Sequence, residues 1–130
     1  MDAKELRIGN WINVGGNTID TYQIFKPAQV TIPILKEILE ENNERPNAVL
    51  SVFMPIQITS DMCLDWGFYN DLGSLRLDVS SDYNAGFEFW DDKLLLVDGD
   101  GGNIGNVIKY VHNFQNIYYA IHGKEPIINL

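Results

Sequence analysis

The sequence predicts an α+β fold: an antiparallel sheet with a long C-terminal helix packed across it, an N-terminal β-hairpin region and two short helices. Two patterns carry that expectation. From Gly105 to His122, the residues Val107, Tyr110, Val111, Phe114, Ile117, Tyr118 and Ile121 fall on one face of a 3.6-residue period. From Ser74 to Val97, apolar residues recur at the period-two spacing of half-buried strands. Size sets the scale. A chain of 130 residues, 45% of them hydrophobic, reads as a single domain over 1–130 that buries a core without metal or disulfide staples.

The N-terminal elements follow from local chemistry. Leu6, Ile8, Trp11, Ile12 and Val14 suggest a first strand, and Val14-Gly15-Gly16-Asn17 suits a tight turn because Gly and Asn tolerate positive φ. A second strand over 18–25 pairs back, and Lys26-Pro27 ends it. Periodicity allows these strands to join the main sheet or to form a small lobe of their own. Val30-Thr31-Ile32 is extended ahead of Pro33, which fits the first turn of a short helix carrying Ile34, Leu35, Ile38 and Leu39 on one side. The polar run 40–47 closes that helix. Ala48 to Met54 reads as a buried strand, Pro55 interrupts it, and Ile56-Gln57-Ile58 continues as an edge.

In the second half, Thr59 or Ser60 caps a second short helix. Met62, Cys63 and Trp66 form its apolar side, and Gly67 closes it in the left-handed conformation. A three-strand meander follows. Ser74 to Ser80 turns Leu75, Leu77 and Val79 inward and Arg76 and Asp78 outward, and Gly86 to Trp90 places Phe87 and Phe89 on one face. Asp91-Asp92 turns the chain, and Lys93 to Val97 returns. The loop 98–103 leads into the long helix, which Gly123 and Pro126 terminate. At about 18 residues this helix would be roughly 27 Å long.

Charge narrows the function. The chain carries 18 acidic and 9 basic residues, a net charge of −9. Between Asp61 and Asp100, ten carboxylates face only Arg76 and Lys93, a local net charge of −8. Direct nucleic-acid binding, which needs clustered Lys and Arg, is opposed by this balance. The acidic stretch is either a solvated face that keeps the chain soluble or a surface for a basic partner. Cys63 is the only cysteine, which excludes an intramolecular disulfide or a CxxC metal site and fits a reducing interior. The start MDAKELRIGN lacks an apolar signal region, and no run reaches the length of a membrane span. The expectation is a cytoplasmic protein with no membrane partner.

The readings that would make this chain an enzyme or a metal protein fail on spacing. Read as a calcium loop from Asp98, the sequence places Gly102, Asn103 and Lys109 where a ligand, a glycine and a bidentate Glu are required. The same loop lacks both glycine-rich phosphate motifs, and Asp98 and Asp100 would repel a phosphate. On one helix His112 and His122 would stand about 15 Å apart, too far to share a metal, and each reads as a boundary residue beside the apolar stripe. Cys63 lies between Asp61 and Asp65, a poor setting for a thiolate. No serine sits in a G-x-S-x-G elbow. The pairs Asp91 with Asp92, Asp78 with Asp82 and Asp61 with Asp65 are those expected by chance in so acidic a chain. The sequence therefore predicts no cofactor, no metal and no catalytic residue. A small enzyme using a carboxylate or His112 is one alternative, and a homo-oligomeric assembly protein is another.

The residues expected to bind a partner are Asp78, Asp82, Tyr83, Glu88, Trp90, Asp91 and Asp92, where carboxylates interleave with aromatic side chains in and beside the meander. Tyr69 belongs to the same neighbourhood.

Three stretches, ELRIGNWINV, ITSDMCLDWGF and IKYVHNFQNIYYAIHGKEPIINL, resemble a family of small proteins encoded by bacteriophages, prophages and mobile elements of gut-type bacteria. Leu6 to Trp11 match its first motif. Pro55, Ile56, Ile58, Thr59, Gly67 and Phe68 match the second. Lys109 to His112, Gln115, Asn116, Tyr118, Ala120, Gly123 and Glu125 match the third. The chain departs from the pattern at Phe114, at Asp61-Met62, at His122 and in 40–47. The family has no agreed activity, so the resemblance transfers no catalytic residue. It implies a phage or mobile-element protein acting in the host cytoplasm. There the acidic face would meet a host protein with a basic surface, as in a counter-defence inhibitor that blocks a nucleic-acid-binding surface. His112, Gln115 and Asn116 either mark a site in this family or form the helix's packing scaffold.

Overall fold

The computed structural model describes residues 1–15, 25–44, 52–79, 85–99 and 102–130. These form two compact units, Met1–Ile56 and Gln57–Leu130, each with its own antiparallel sheet. Two sheets together with helical segments make the fold α+β, as the sequence predicts.

In the first unit, β1 (Trp11–Gly15) lies between β2 (Phe25–Gln29) and β3 (Phe53–Met54). Pro27 does not end a strand as expected. It pairs with Asn13 inside β2, and it is tolerated because β2 is an edge strand that can spare an N–H. The first strand starts later than the pattern suggests, because 7–10 form a turn. Gly9 adopts φ +92°, and Asn10 Oδ1 accepts from the Arg7 backbone N–H at 2.7 Å. Gly9 N–H and Val30 O, and Val30 N–H and Asn10 O, then tie this turn to the end of β2. α1 (Ile32–Glu44) follows, with Thr31 Oγ1 accepting from the Ile34 N–H at its start. Ile38 is buried with Ile12, Val30, Leu6 and Phe53, and Ile34 and Leu35 pack beside them. Leu39, expected on that side, is exposed. The residues 18–24 of the expected second strand and 48–51 of the expected third lie outside the described residues.

In the second unit, α2 (Ser60–Asp65) is capped by Thr59, whose Oγ1 accepts from the Met62 N–H at 3.3 Å, and Gly67 follows it at φ +94°. The five-stranded sheet runs in sequence order: β4 (Tyr69–Asp71), β5 (Ser74–Asp78), β6 (Gly86–Trp90), β7 (Lys93–Val97) and β8 (Asn103–Ile108). The expected meander is thus the middle of a larger sheet. Leu75 pairs with Phe89 and Leu77 with Phe87, and these in turn pair with Leu94 and Leu96. Directly paired residues share a face, so these six make one apolar surface. α3 (Val111–His122) covers it: the Phe114 ring meets Phe87 edge-on at 4.8 Å and stacks on Trp66 at 5.1 Å, while Tyr118 lies over Phe87 at 6.2 Å.

The C-terminal helix is shorter than its apolar period implies. It starts at Val111, and the six residues before Lys109 are a strand instead. Gly105 stands at φ +77°, outside helical geometry. Leu94 pairs with Ile108 and Leu96 with Ile104, so Gly105, Asn106 and Val107 together oppose Leu95 in a bulge. Gly123 ends α3 at φ +75°, as expected.

Candidate interaction surface and adjoining cleft

The face of the five-stranded sheet opposite α3 carries Asp78, Glu88 and Trp90 of the residues singled out by the acidic pattern. Tyr69 pairs with Arg76, Arg76 with Glu88, and Glu88 with Leu95, forming one row across four strands. Trp90 and Lys93 form the next pair. Trp90 is 60% exposed, on the same side of β6 as Glu88. Asp91 and Asp92 then turn the hairpin with φ of +53° and +57°, a pair of left-handed residues characteristic of a two-residue type I′ turn. Asp82 and Tyr83 lie outside the described residues.

This face is not uniformly negative. The only two cations of the acidic stretch, Arg76 and Lys93, both point to it. Asp78 is largely engaged at home: Arg76 Nε donates to its Oδ1 and the Tyr69 hydroxyl to its Oδ2, each at 2.7 Å. The Arg76 hydrogen bond, followed by that from Tyr69, holds the Asp78 carboxyl below the usual range. The hydrogen bond to Asp78 pushes the Tyr69 phenol up and likewise raises Arg76. Asp91 and Asp92, both exposed, stand at the hairpin end beside Trp90.

A cleft of about 410 Å³ adjoins this end within the second unit. Buried Phe89, Leu94 and Ile108 form its apolar lining, and Asp92 and Lys109 bring charges of opposite sign to it. Gln57, Ser60 and Tyr110 add polar groups. Backbone pairing holds the walls: Gln57 bridges to Tyr110, and the Ile58 N–H reaches Lys109 O at 3.4 Å. The sequence reading missed this site. Val107 and Lys109, both lining it, fall within the helix that the apolar period predicts, and nothing in that pattern links them to Asp92.

Other candidates have structural employment. Asp98 Oδ1 accepts from the Gly102 N–H at 2.8 Å, closing the loop before β8. Among the described residues no three His, Cys, Asp or Glu side chains converge as a metal site. Cys63 is buried, and burial pushes its thiol up to about 12. His112 is not the boundary residue expected: it is buried with Val111, Phe114 and Gln115, and its ring stacks on Tyr110. His122 is exposed at the end of α3, against Tyr118.

The arrangement is that of an α+β protein whose larger sheet exposes Tyr69 and Trp90 among charged residues and adjoins a mixed-polarity cleft. Comparisons with protein-family models, curated proteins and solved structures find no match to this chain. No described helix is long and apolar enough to cross a membrane.

Proposed function

We propose that this chain acts without catalysis, by binding a protein partner through the hairpin end of its five-stranded sheet. The supporting observation is the indole of Trp90, 60% exposed beside Glu88, Asp91 and Asp92. An indole left in water on a sheet face contributes little to the fold, whereas buried tryptophan is a frequent anchor of protein interfaces. The carboxylates around it and the net charge of −9 favour a basic partner, which they would steer electrostatically. In the phage or mobile-element setting that the resemblance implies, the partner is a host protein whose nucleic-acid-binding surface the chain occupies, as a counter-defence inhibitor would.

The test is retention of host proteins on the immobilised chain at low and high salt, with mass spectrometry of what is held. Wild type is compared with Trp90→Ala and with Glu88→Gln/Asp91→Asn/Asp92→Asn. A salt-released partner lost by both variants supports the reading. A partner held equally by wild type and both variants ends it.

A homo-oligomeric assembly role is the second reading, favoured by β8. It is the last strand of the sheet, its residues Asn103 to Val107 are exposed, and it contains neither a charge nor a proline, so that the bulge at 105–107 alone interrupts it as a pairing edge. Light scattering of the purified chain distinguishes the two. A stable symmetric oligomer that Ile104→Lys dissociates moves the assignment to assembly.

A further inference from the structure

We propose that the cleft beside the β6–β7 hairpin binds a small amphipathic zwitterion, an apolar body carrying one ammonium and one carboxylate, as in a hydrophobic α-amino acid. This does not depend on the protein-binding role of the sheet face. The cleft, at about 410 Å³, falls in the size range of small-ligand sites. Its lining joins two unlike parts. Phe89, Leu94 and Ile108 offer a buried apolar surface, and Asp92 and Lys109 stand on the same cleft with opposite charges.

Those two charges do not satisfy each other. Among the described residues neither Asp92 nor Lys109 takes part in an ion pair or a side-chain hydrogen bond. Two opposite charges that share a cleft without meeting leave room for a ligand that meets both. The ammonium goes to Asp92, the carboxylate to Lys109, and the apolar body onto Phe89, Leu94 and Ile108. Gln57, Ser60 and Tyr110 also line the cleft, and among the described residues their side chains make no hydrogen bond, which leaves them for the ligand's polar atoms. A fully apolar ligand would leave both charges without a partner. An anion or a cation alone would meet one match and one repulsion.

The experiment is a titration of the ¹⁵N-labelled chain with three probes: L-phenylalanine, N-acetyl-L-phenylalanine, which lacks the cation, and L-phenylalaninamide, which lacks the anion. L-phenylalanine is expected to shift the amide signals of Leu94, Ile108 and Lys109 saturably, and each derivative to bind about tenfold more weakly. Lys109→Gln is expected to remove the advantage of L-phenylalanine over its amide, and Asp92→Asn its advantage over the acetyl derivative. Both side chains are exposed, so each variant keeps its fold, and an unchanged spectrum without ligand verifies this. Equal binding of the three probes, shifts confined to other residues, or no saturable shift at tens of millimolar would overturn the proposal. Because Lys109 is not part of the sheet-face row, Lys109→Gln leaves partner retention unchanged, which separates failure here from failure of the protein-binding reading.

Discussion

Trp66 and Phe114 stack with ring centroids 5.1 Å apart and planes within 3° of parallel. The contact joins the end of α2 to α3, and Phe114 also meets Phe68, Phe87 and Tyr118. Phe114→Ala removes the common member of this cluster and is expected to cost about 3–5 kcal/mol in urea unfolding. Trp66→Phe should cost clearly less. It keeps a ring against Phe114 and removes Nε1–H, a buried donor with no acceptor among the described residues.

Leu72 makes the β4–β5 turn with φ +52° and is fully exposed. The left-handed region disfavours a leucine, and the side chain gains nothing there by burial. Leu72→Asn is expected to stabilise the protein by roughly 0.5–1 kcal/mol, seen as a higher denaturant midpoint with an unchanged slope.

The Tyr69–Asp78–Arg76 cluster gives a signed pH dependence. Asp78 has its carboxyl lowered, so its contribution is present above the ordinary carboxylate range and is lost as pH falls through its own lower value. Tyr69 has its phenol raised, so its contribution is present below the ordinary phenol range and is lost as pH rises through its higher value. Between these limits the cluster's effect is flat. In Arg76→Gln, NMR titration should find the Asp78 carboxyl moved up towards the ordinary range, and Tyr69→Phe should move it in the same direction by less.

With its thiol raised to about 12 and its side chain buried, Cys63 is expected to resist a disulfide reagent such as DTNB at neutral pH in the folded protein. Reaction should become rapid in denaturing urea. Fast labelling of the native chain would show that α2 opens locally.

The elements with sharp local punctuation were legible in the sequence. Thr59 and Gly67 frame α2 as expected, and Asp91-Asp92 separates β6 from β7 at the expected residues. Period two also placed Phe87 and Phe89 on one face. β8 was not legible. Ile104 and Val107 are as apolar as the helix that follows, the strand's exposed residues show no alternation of burial, and Val107 fits the helical period of Val111 and Phe114. Only pairing with Leu94 and Leu96 makes this stretch a strand, and nothing in its own apolar pattern marks that pairing. The same pairing brings Lys109 to the cleft that Asp92 lines, so missing the strand meant missing the site. The charge of the sheet face was half legible: the carboxylates were counted and Arg76 was expected outward, but the row that sets it between Tyr69 and Glu88 depends on register.

The order β4-β5-β6-β7-β8 means that every strand of the larger sheet lies beside its neighbour in the chain. Such a sheet can form by successive closures of short loops, each spending little chain entropy before its ladder is gained. The Gln57–Tyr110 bridge is different, since it joins residues on either side of the whole meander. Closing it directly would order the whole intervening chain, whereas formed hairpins shorten that loop, and two walls of the cleft meet there. Chain entropy thus favours closing the hairpins of the sheet face before the cleft.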